Sequence, residues 1–409
     1  MFRRRLVGLV LGVSLRASPA DAQQHDPPII EMTYEGALAL ARKQAPVLTA
    51  ARARARDAHS RIDAASVWRF NPELSGDVGP RFGASRDTVD WSVRVQQWLE
   101  VGGQRGDRLD AARAGAAAGG ARARDATRRL LGDVGLAFAA VLYWERRAAL
   151  AEENLHIAEA VARVARRRHA VGDVGGMDDA VSALGVVRAR TALDGAMASR
   201  TQTEGGLKAL LGLRASTVLA CRGELRELGE LQPGSADPDE RPDLRALRAD
   251  IRKTDAEAAL GRARRVPNLS LGAGYFRRES EDVIRGLVTV ELPVFDRGQG
   301  ETAVAVARGE RLRAELDATR ATAAVGAETA RSAAERLGGA VARFEREGLE
   351  ILERAERLAT ASYEAGAVPL GELLAVRREL VQAKLDHVEL LLRAATARVV
   401  LAATTGALR

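Results

Sequence analysis

The residues best suited to bind a ligand form the segment Gly-Asp-Val-Gly-Gly at 172–176, which lies between two helical stretches of sequence. Glycine-rich loops cradle phosphates when a strand precedes them and a helix carrying Lys and Ser or Thr follows. Here a long helical pattern precedes the glycines and no lysine follows, which argues against phosphate binding. The segment instead predicts a reversal of the chain. Gly172 supplies the left-handed residue that ends a helix, and Asp178 and Asp179 favour the start of the next one.

A second segment, EAGAVPL at 364–370, repeats this pattern 194 residues further along the chain. Gly366 matches Gly172, and Pro369 stands where the next helix begins, a position at which the missing N–H of proline costs nothing. Carboxylates flank both turns, namely Asp178, Asp179, Glu364 and Glu372. They are either ordinary charges at helix starts or an acidic mouth that attracts cations.

No other set of residues predicts catalysis, a cofactor or a metal site. The five histidines form no HxxxH or His/Cys grouping, which favours surface or packing roles. The single Cys221 can form no internal disulfide and lies far from the start of the mature chain, which excludes it as a lipid anchor. We find no nucleophile–base pattern and therefore expect no enzymatic activity. The net charge of +7 is interspersed along the helices, without interleaved aromatics, which argues against nucleic-acid binding.

The first 22 residues predict a signal peptide for export. Arginines at 3–5 precede the ten-residue apolar core LVGLVLGVSL, and Ala-Asp-Ala at 20–22 offers a cleavage site. That core is too short to span a bilayer, and no later run approaches about 18 apolar residues. We expect a mature chain that begins near Gln23, leaves the cytoplasm and has no transmembrane helix.

The rest of the chain is one long unit that occurs twice in tandem. Matching positions recur at offsets of 194 to 196 residues, with Pro46 matching Pro242 and Gly106 matching Gly300. The predicted divisions are a first repeat at 23–212, a linker at 213–240 and a second repeat at 241–409. Each repeat predicts a helix, two strands, a very long helix, a tight reversal and a final helix.

The helical segments are unusually long and rich in alanine. Helical patterns cover 33–65, 104 to about 170, and 176–212, and they consist mainly of the strong helix formers Ala, Leu, Arg and Glu. A helix of about 65 residues would be about 100 Å long, which no globular core requires. The length indicates coiled-coil packing, and the small alanine side chains permit close approach of the helices.

Four short segments predict strands, at 74–82, 91–99, 268–276 and 284–292. Apolar and polar residues alternate in them, most strictly in WSVRVQQWL and NLSLGAGYF, as in strands that cross an outer membrane. Eight of the fifteen aromatic residues lie in or beside these hairpins, which favours interfacial girdles. These residues are Trp68, Phe70, Phe82, Trp91, Trp98, Tyr275, Phe276 and Phe295. The alternative is a pair of soluble hairpins packed on helices.

Four strands cannot close a barrel, and unpaired strand edges are not tolerated in lipid. Several chains must therefore share one barrel, and three copies would contribute twelve strands, an even number typical of such barrels. We expect a mainly helical fold with membrane β structure, in which the helices of a trimer form a hollow cylinder below the barrel.

This order of elements resembles the TolC-like outer-membrane efflux family across essentially the whole mature chain. The motifs that carry the resemblance best are LEVGGQRG at 99–106 and LPVFDRGQG at 292–300. NPEL at 71–74 and the EVGGQR run are most similar to the CzcC-like heavy-metal efflux branch. The resemblance implies a homotrimeric duct in the outer membrane, with a tunnel that extends into the periplasm.

The resemblance also implies partners: a periplasmic adaptor and an inner-membrane pump of the resistance-nodulation-division (RND) type. It places adaptor docking at the tips of the two turns, at Gly172, Asp173, Val174, Gly175, Gly366, Ala367, Val368 and Leu370. The belt around the middle of the tunnel should rest largely on 213–240, because the tail after the last helix is short. The predicted function is passive efflux, with heavy-metal cations as the substrate. The alternatives are a duct for drugs or secreted polypeptides and, in another class, a soluble periplasmic helical-hairpin adaptor.

Overall fold

The computed structural model describes residues 29–82, 86–172, 175–230, 238–279, 281–365 and 367–406. The predicted signal peptide at 1–22 lies outside these ranges. Within them, the first half of the chain contains β1 (Ile29–Met32), α1 (Tyr34–Gln44), α2 (Pro46–Ser66), β2 (Glu73–Arg81), β3 (Thr88–Leu99), α3 (Gln104–Ala170) and α4 (Gly176–Leu211). No helix of the described ranges is both long enough and apolar enough to cross a membrane.

The second half repeats the order of helix, two strands, long helix, reversal and helix. After β4 (Val218–Cys221), α5 (Leu225–Gly229) and a short 3₁₀ turn come α6 (Pro242–Ala263), β5 (Leu269–Arg278) and β6 (Glu281–Val290). The long helix follows as α7 (Gln299–Arg343), a five-residue π-helical segment (Phe344–Gly348) and α8 (Leu349–Glu364). The last helix is α9 (Leu370–Thr405).

The helical segment predicted as continuous at 33–65 is in fact two helices. Thr33 caps α1 by accepting a hydrogen bond from the Gly36 N–H at 3.1 Å, and the helix ends at Gln44, with Ala45 as its C-terminal cap. Pro46 is the first residue of α2, because proline fits a helix start but lacks the N–H that a helix interior requires. The helix therefore breaks between Ala45 and Pro46.

The long helices pack closely through small residues. A side chain on Gly135 of α3 would lie 2.8 Å from the Val399 Cγ1 on α9, and one on Gly119 would lie 2.8 Å from the Ala58 Cβ on α2. Both separations are shorter than carbon atoms tolerate, so the interhelical distance depends on these glycines. The observed packing confirms the close approach that the alanine-rich sequence predicts.

The four long strands form one antiparallel sheet in the order β2-β3-β5-β6. The two hairpins join through β3 and β5, where Val93 pairs with Tyr275 and Val95 with Ala273. Each repeat therefore contributes two neighbouring strands. Strands β2 and β6 lie at the two edges and pair on one side only.

A belt of short elements surrounds the middle of the helices. Strand β1 pairs in parallel with β4, from Ile29 opposite Val218 to Met32 opposite Cys221, and α5 packs against α9. The largest core cluster lies here and includes Phe138, Leu131 and Leu207, all almost fully buried. The linker supplies β4 and α5. Strand β1, from the chain's first described residues, completes the belt, and the sequence did not predict this strand.

Candidate functional site

One face of the four-stranded sheet is apolar and exposed. Because residues opposite each other in the register share a face, the pairing places Val78, Trp91 and Leu74 on the same side as Ile284 and Val288. Leu74 and Val78 are each 76% exposed, and Ile284 is 80% exposed. A contiguous apolar surface of this kind is typical of contact with lipid. The register also confirms the predicted alternation of β3 and β5.

The opposite face of the sheet is polar. Arg94 donates a hydrogen bond to the Asp77 carboxylate at 2.5 Å, and Gln96 donates one to Glu73 at 2.7 Å. Both contacts join neighbouring strands across the face. Asp77 and Glu73 therefore have partners on β3, and this face suits a water-filled lumen.

Aromatic residues mark the two ends of the sheet. Trp91 and Tyr275 are in tilted contact at one end, with 5.2 Å between ring centroids and 43° between planes, and Phe70 and Trp98 lie 6.4 Å apart at the other. The Arg105 guanidinium lies 5.8 Å from the centroid of the exposed Trp68 ring beside the second group. Trp91 and Tyr275 lie on the apolar face, where amphipathic rings mark a water–lipid interface, whereas Trp98 pairs with Ser270 and lies on the polar face, so its ring is not part of a lipid-facing girdle.

The first turn reverses the chain between α3 and α4. Gly172 has a φ of 77°, and the N–H of Gly172 donates to the His169 carbonyl at 2.9 Å. The N–H of Asp178 donates to the Gly175 carbonyl at 3.1 Å as α4 begins. The glycines thus serve a helix reversal rather than a phosphate loop. Asp173 and Val174 lie outside the described residues.

The second turn joins α8 to α9 and is partly packed against α3. Pro369 caps α9, and its carbonyl accepts the Glu372 N–H at 3.1 Å. Ala367 is exposed, but Leu370 is buried against Val161 and Ala165 of α3. Gly366 lies outside the described residues. Leu370 therefore anchors the turn to α3, and the exposed part of this tip precedes Leu370 in the chain.

The carboxylates at the first turn lie among arginines. Asp179 is 3.9 Å from the Arg166 guanidinium, and Arg163 and Arg167 are exposed on the same end of α3. The charge at this turn is therefore mixed, whereas Glu372 stands exposed at the start of α9. Glu364 is the last residue of α8.

An ion-pair network ties α8 to its neighbours above the turns. The Lys384 ammonium on α9 lies 2.9 Å from Glu153 of α3 and 3.0 Å from Glu356 of α8. Arg377 donates to the Thr360 hydroxyl at 2.9 Å. Burial alone would lower the pKa of Lys384, but the hydrogen bonds to the two carboxylates have the larger effect and raise it. Sequence reasoning missed this network, although Lys384 is one of only four lysines in the chain.

The π-helical segment lies beside a half-buried histidine. The Phe344 ring stacks on His387 of α9, with 4.7 Å between centroids and 15° between planes. The His387 Nε2 is 3.9 Å from Glu345, beyond hydrogen-bond distance. Burial lowers the pKa of His387, Glu345 partly offsets this, and Arg146 lowers it further. Single π turns are frequent at functional sites and hinges. The sequence pattern did not indicate one here.

Within the described ranges, no three His, Cys, Asp or Glu side chains converge as a metal site. Cys221 is buried in the belt, and burial, with nearby Glu145 and Glu204, raises the pKa of its thiol to about 12. The thiol is therefore a packed, protonated group rather than a metal ligand.

The lipid-facing sheet and the helical body of very long hairpins define an outer-membrane channel protein with a TolC-like fold. The chain belongs to the outer membrane efflux protein family, whose model matches residues 37–213 and 238–407. It is thus a protein of the outer membrane whose helical part extends into the periplasm.

Relatives and a solved structure agree with this class. The chain is 28% identical over 282 residues to the nickel-cobalt-cadmium resistance protein NccC of Alcaligenes xylosoxydans xylosoxydans, a match covering 68% of this chain and 64% of NccC. It is 26% identical to the cobalt-zinc-cadmium resistance protein CzcC of Cupriavidus metallidurans, over 78% of this chain and 77% of CzcC. The CmeC outer membrane channel of Campylobacter jejuni matches the fold with a TM-score of 0.77 and 14% identity, over 91% of this chain and 85% of CmeC.

Proposed function

We propose that three copies of this chain form a passive duct that carries heavy-metal cations from a periplasmic adaptor and an RND pump to the exterior. The observation that carries the proposal is the four-stranded sheet, which is apolar on one exposed face and unpaired at β2 and β6. Unpaired backbone groups are not tolerated in lipid, so the edges must pair with other copies. Three chains would give a closed barrel of twelve strands.

Exposed apolar residues on the helices support the same assembly. Met177, Val181, Leu184 and Val187 follow one another along α4 at helical spacing, and each is at least 48% exposed. Such a stripe is stable in water only when another surface covers it. In a trimer, the helices of the next copy would cover it.

The metal substrate rests on the names of the relatives. NccC and CzcC are described as resistance proteins for nickel, cobalt, zinc and cadmium. A duct needs no resident metal site of its own, because the pump selects the ion. No catalytic step is part of this function. The two turns are the proposed contact with the adaptor, through Gly172 and Gly175 in one and Ala367 and Val368 in the other.

A deletion strain tests the substrate. It is assayed for growth with zinc, cobalt, cadmium and nickel salts, and with a panel of drugs, before and after complementation with the intact gene. Metal sensitivity that the gene restores supports the proposal. Unchanged metal tolerance with new drug sensitivity would establish the drug duct instead.

The assembly is tested separately by fractionation of the mature protein. The proposal expects a trimer in the outer membrane whose gel migration changes on heating. A soluble periplasmic monomer would overturn the duct and favour the helical-hairpin adaptor.

A further inference from the structure

The polar face of the sheet carries two arginines at one level. The register places Ser75, Arg94, Gly274 and Arg285 in a single row across β2, β3, β5 and β6. Gly274 has no side chain, and a Cβ there would lie 2.8 Å from the Arg94 Cγ and 2.9 Å from the Phe276 Cε2. The glycine therefore lets the side chains of Arg94 and Phe276 lie close together across the row.

The two arginines differ in how their charge is balanced. Arg94 is paired with Asp77 at 2.5 Å. Arg285 is exposed, and its guanidinium lies 5.2 Å from the centroid of the Phe276 ring. A ring face holds a cation without neutralising it. Among the residues that the structure describes, no carboxylate pairs with Arg285, so the row retains one positive charge per chain that no described residue balances.

The aromatic contact also fixes the position of that charge. Phe276 is only 9% exposed, because the ring lies against the glycine-rich strand and beneath Arg285. A planar guanidinium stacks on such a ring better than an ammonium does. The Arg285 guanidinium is therefore held at a defined level on the polar face instead of moving freely in solvent.

We propose that Arg285 is a selectivity-determining residue that forms a cationic collar in the lumen of the barrel. This inference rests on the proposed function, because only the closed trimer gathers three Arg285 side chains at one level. The collar favours anions over cations in this part of the pore, to the same extent for ions that enter as for ions that leave. Rings of charged side chains select ions in this way in other pores.

The test is the reversal potential of single channels in a planar bilayer under a potassium chloride gradient. Arg285→Gln removes the charge, Arg285→Glu reverses it, and Arg285→Lys is the matched control that keeps it. We expect the potassium-to-chloride permeability ratio to rise about two- to threefold in Arg285→Gln, because a change of about half an RT in local potential acts on the cation and the anion in opposite directions, and further in Arg285→Glu. Arg285→Lys keeps the charge but loses the planar stacking on Phe276, so its ratio should lie between those of the wild type and Arg285→Gln.

The effect should also depend on salt. The difference between wild type and Arg285→Gln should be clear near 0.1 M salt, where the Debye length is about 10 Å, and shrink near 1 M, where it is about 3 Å. Channels that form normally but share one permeability ratio across all four proteins would overturn the collar and leave the duct intact. Wild-type protein that forms no channels would instead overturn the proposed function.

Discussion

The Lys384 network makes α8 the element whose attachment can be measured most directly. We predict that Lys384→Met loosens α8 from α3 and α9. At an effective dielectric constant of about 20, each carboxylate pair near 3 Å has a Coulomb energy of about 5–6 kcal/mol. Desolvation and partial exposure offset most of that, because Lys384 is 23% exposed and Glu153 is 49% exposed. The net loss should lie between that of an exposed pair and a fully buried one, at about 1–3 kcal/mol.

The assay is amide hydrogen exchange of the assembled protein in detergent, resolved to peptides of α8. A loss of about 1–3 kcal/mol in local stability should raise the exchange of α8 amides by about 5- to 140-fold. Peptides from β5 and β6 serve as an internal reference and should not change.

Arg354→Met is the matched control on the same helix. Its pair with Glu350 is exposed, at 60% and 75%, and lies within one turn of α8. Its loss should change exchange by less than about threefold. If Lys384→Met left α8 as protected as in the wild type, or if Arg354→Met had the same effect, then the network would not hold α8 in place.

Three further predictions test the sheet, the histidine and the thiol. Val288→Arg places a charge on the apolar face at a cost of about 2–4 kcal/mol in lipid, and should therefore reduce the amount of heat-modifiable trimer in outer-membrane fractions. Thr289→Arg on the polar face should not reduce it. Equal amounts of trimer from the two variants would contradict the assignment of the faces. Burial lowers the pKa of His387, so the folded protein should keep its full stability above about pH 6.5 and lose stability as the pH falls below that value. His387→Leu should remove this part of the pH dependence of the thermal unfolding temperature, followed by circular dichroism. The same dependence on pH in the variant and the wild type would refute the prediction. Cys221, whose pKa is raised to about 12, should resist alkylation by iodoacetamide in the native protein and react on denaturation, as mass spectrometry would detect, while rapid native labelling would contradict its burial.

The long helices and the strands could be predicted because their signals are local and repeated. Helix α3 begins at Gln104 and ends at Ala170, close to the predicted 104 to about 170, since uniform helix formers end at Gly172. The alternation of Trp91, Val93 and Val95 was enough to assign their face. These patterns need no knowledge of distant residues.

The features that escaped prediction depend on distant partners or on single residues. Strand β1 has four residues and no alternating pattern of useful length, and it exists because β4 lies beside it. The π-helical segment and the Lys384 network follow from contacts among α3, α8 and α9 that no sequence period encodes. The break before Pro46 was readable in principle, because proline marks a helix start.

The parallel pairing of β1 with β4 sets the order in which the chain can fold. The Arg222–Glu31 hydrogen bond beside this pair joins residues 191 positions apart, so β1 must wait until the whole first repeat and the start of the linker have emerged. Closing so long a loop is slow, and the entropy of closure must be offset by the contacts that follow it. The α3–α4 hairpin is made of local contacts and can form first, so that the belt elements then pack against its middle. The belt is therefore the late, slow step of monomer folding.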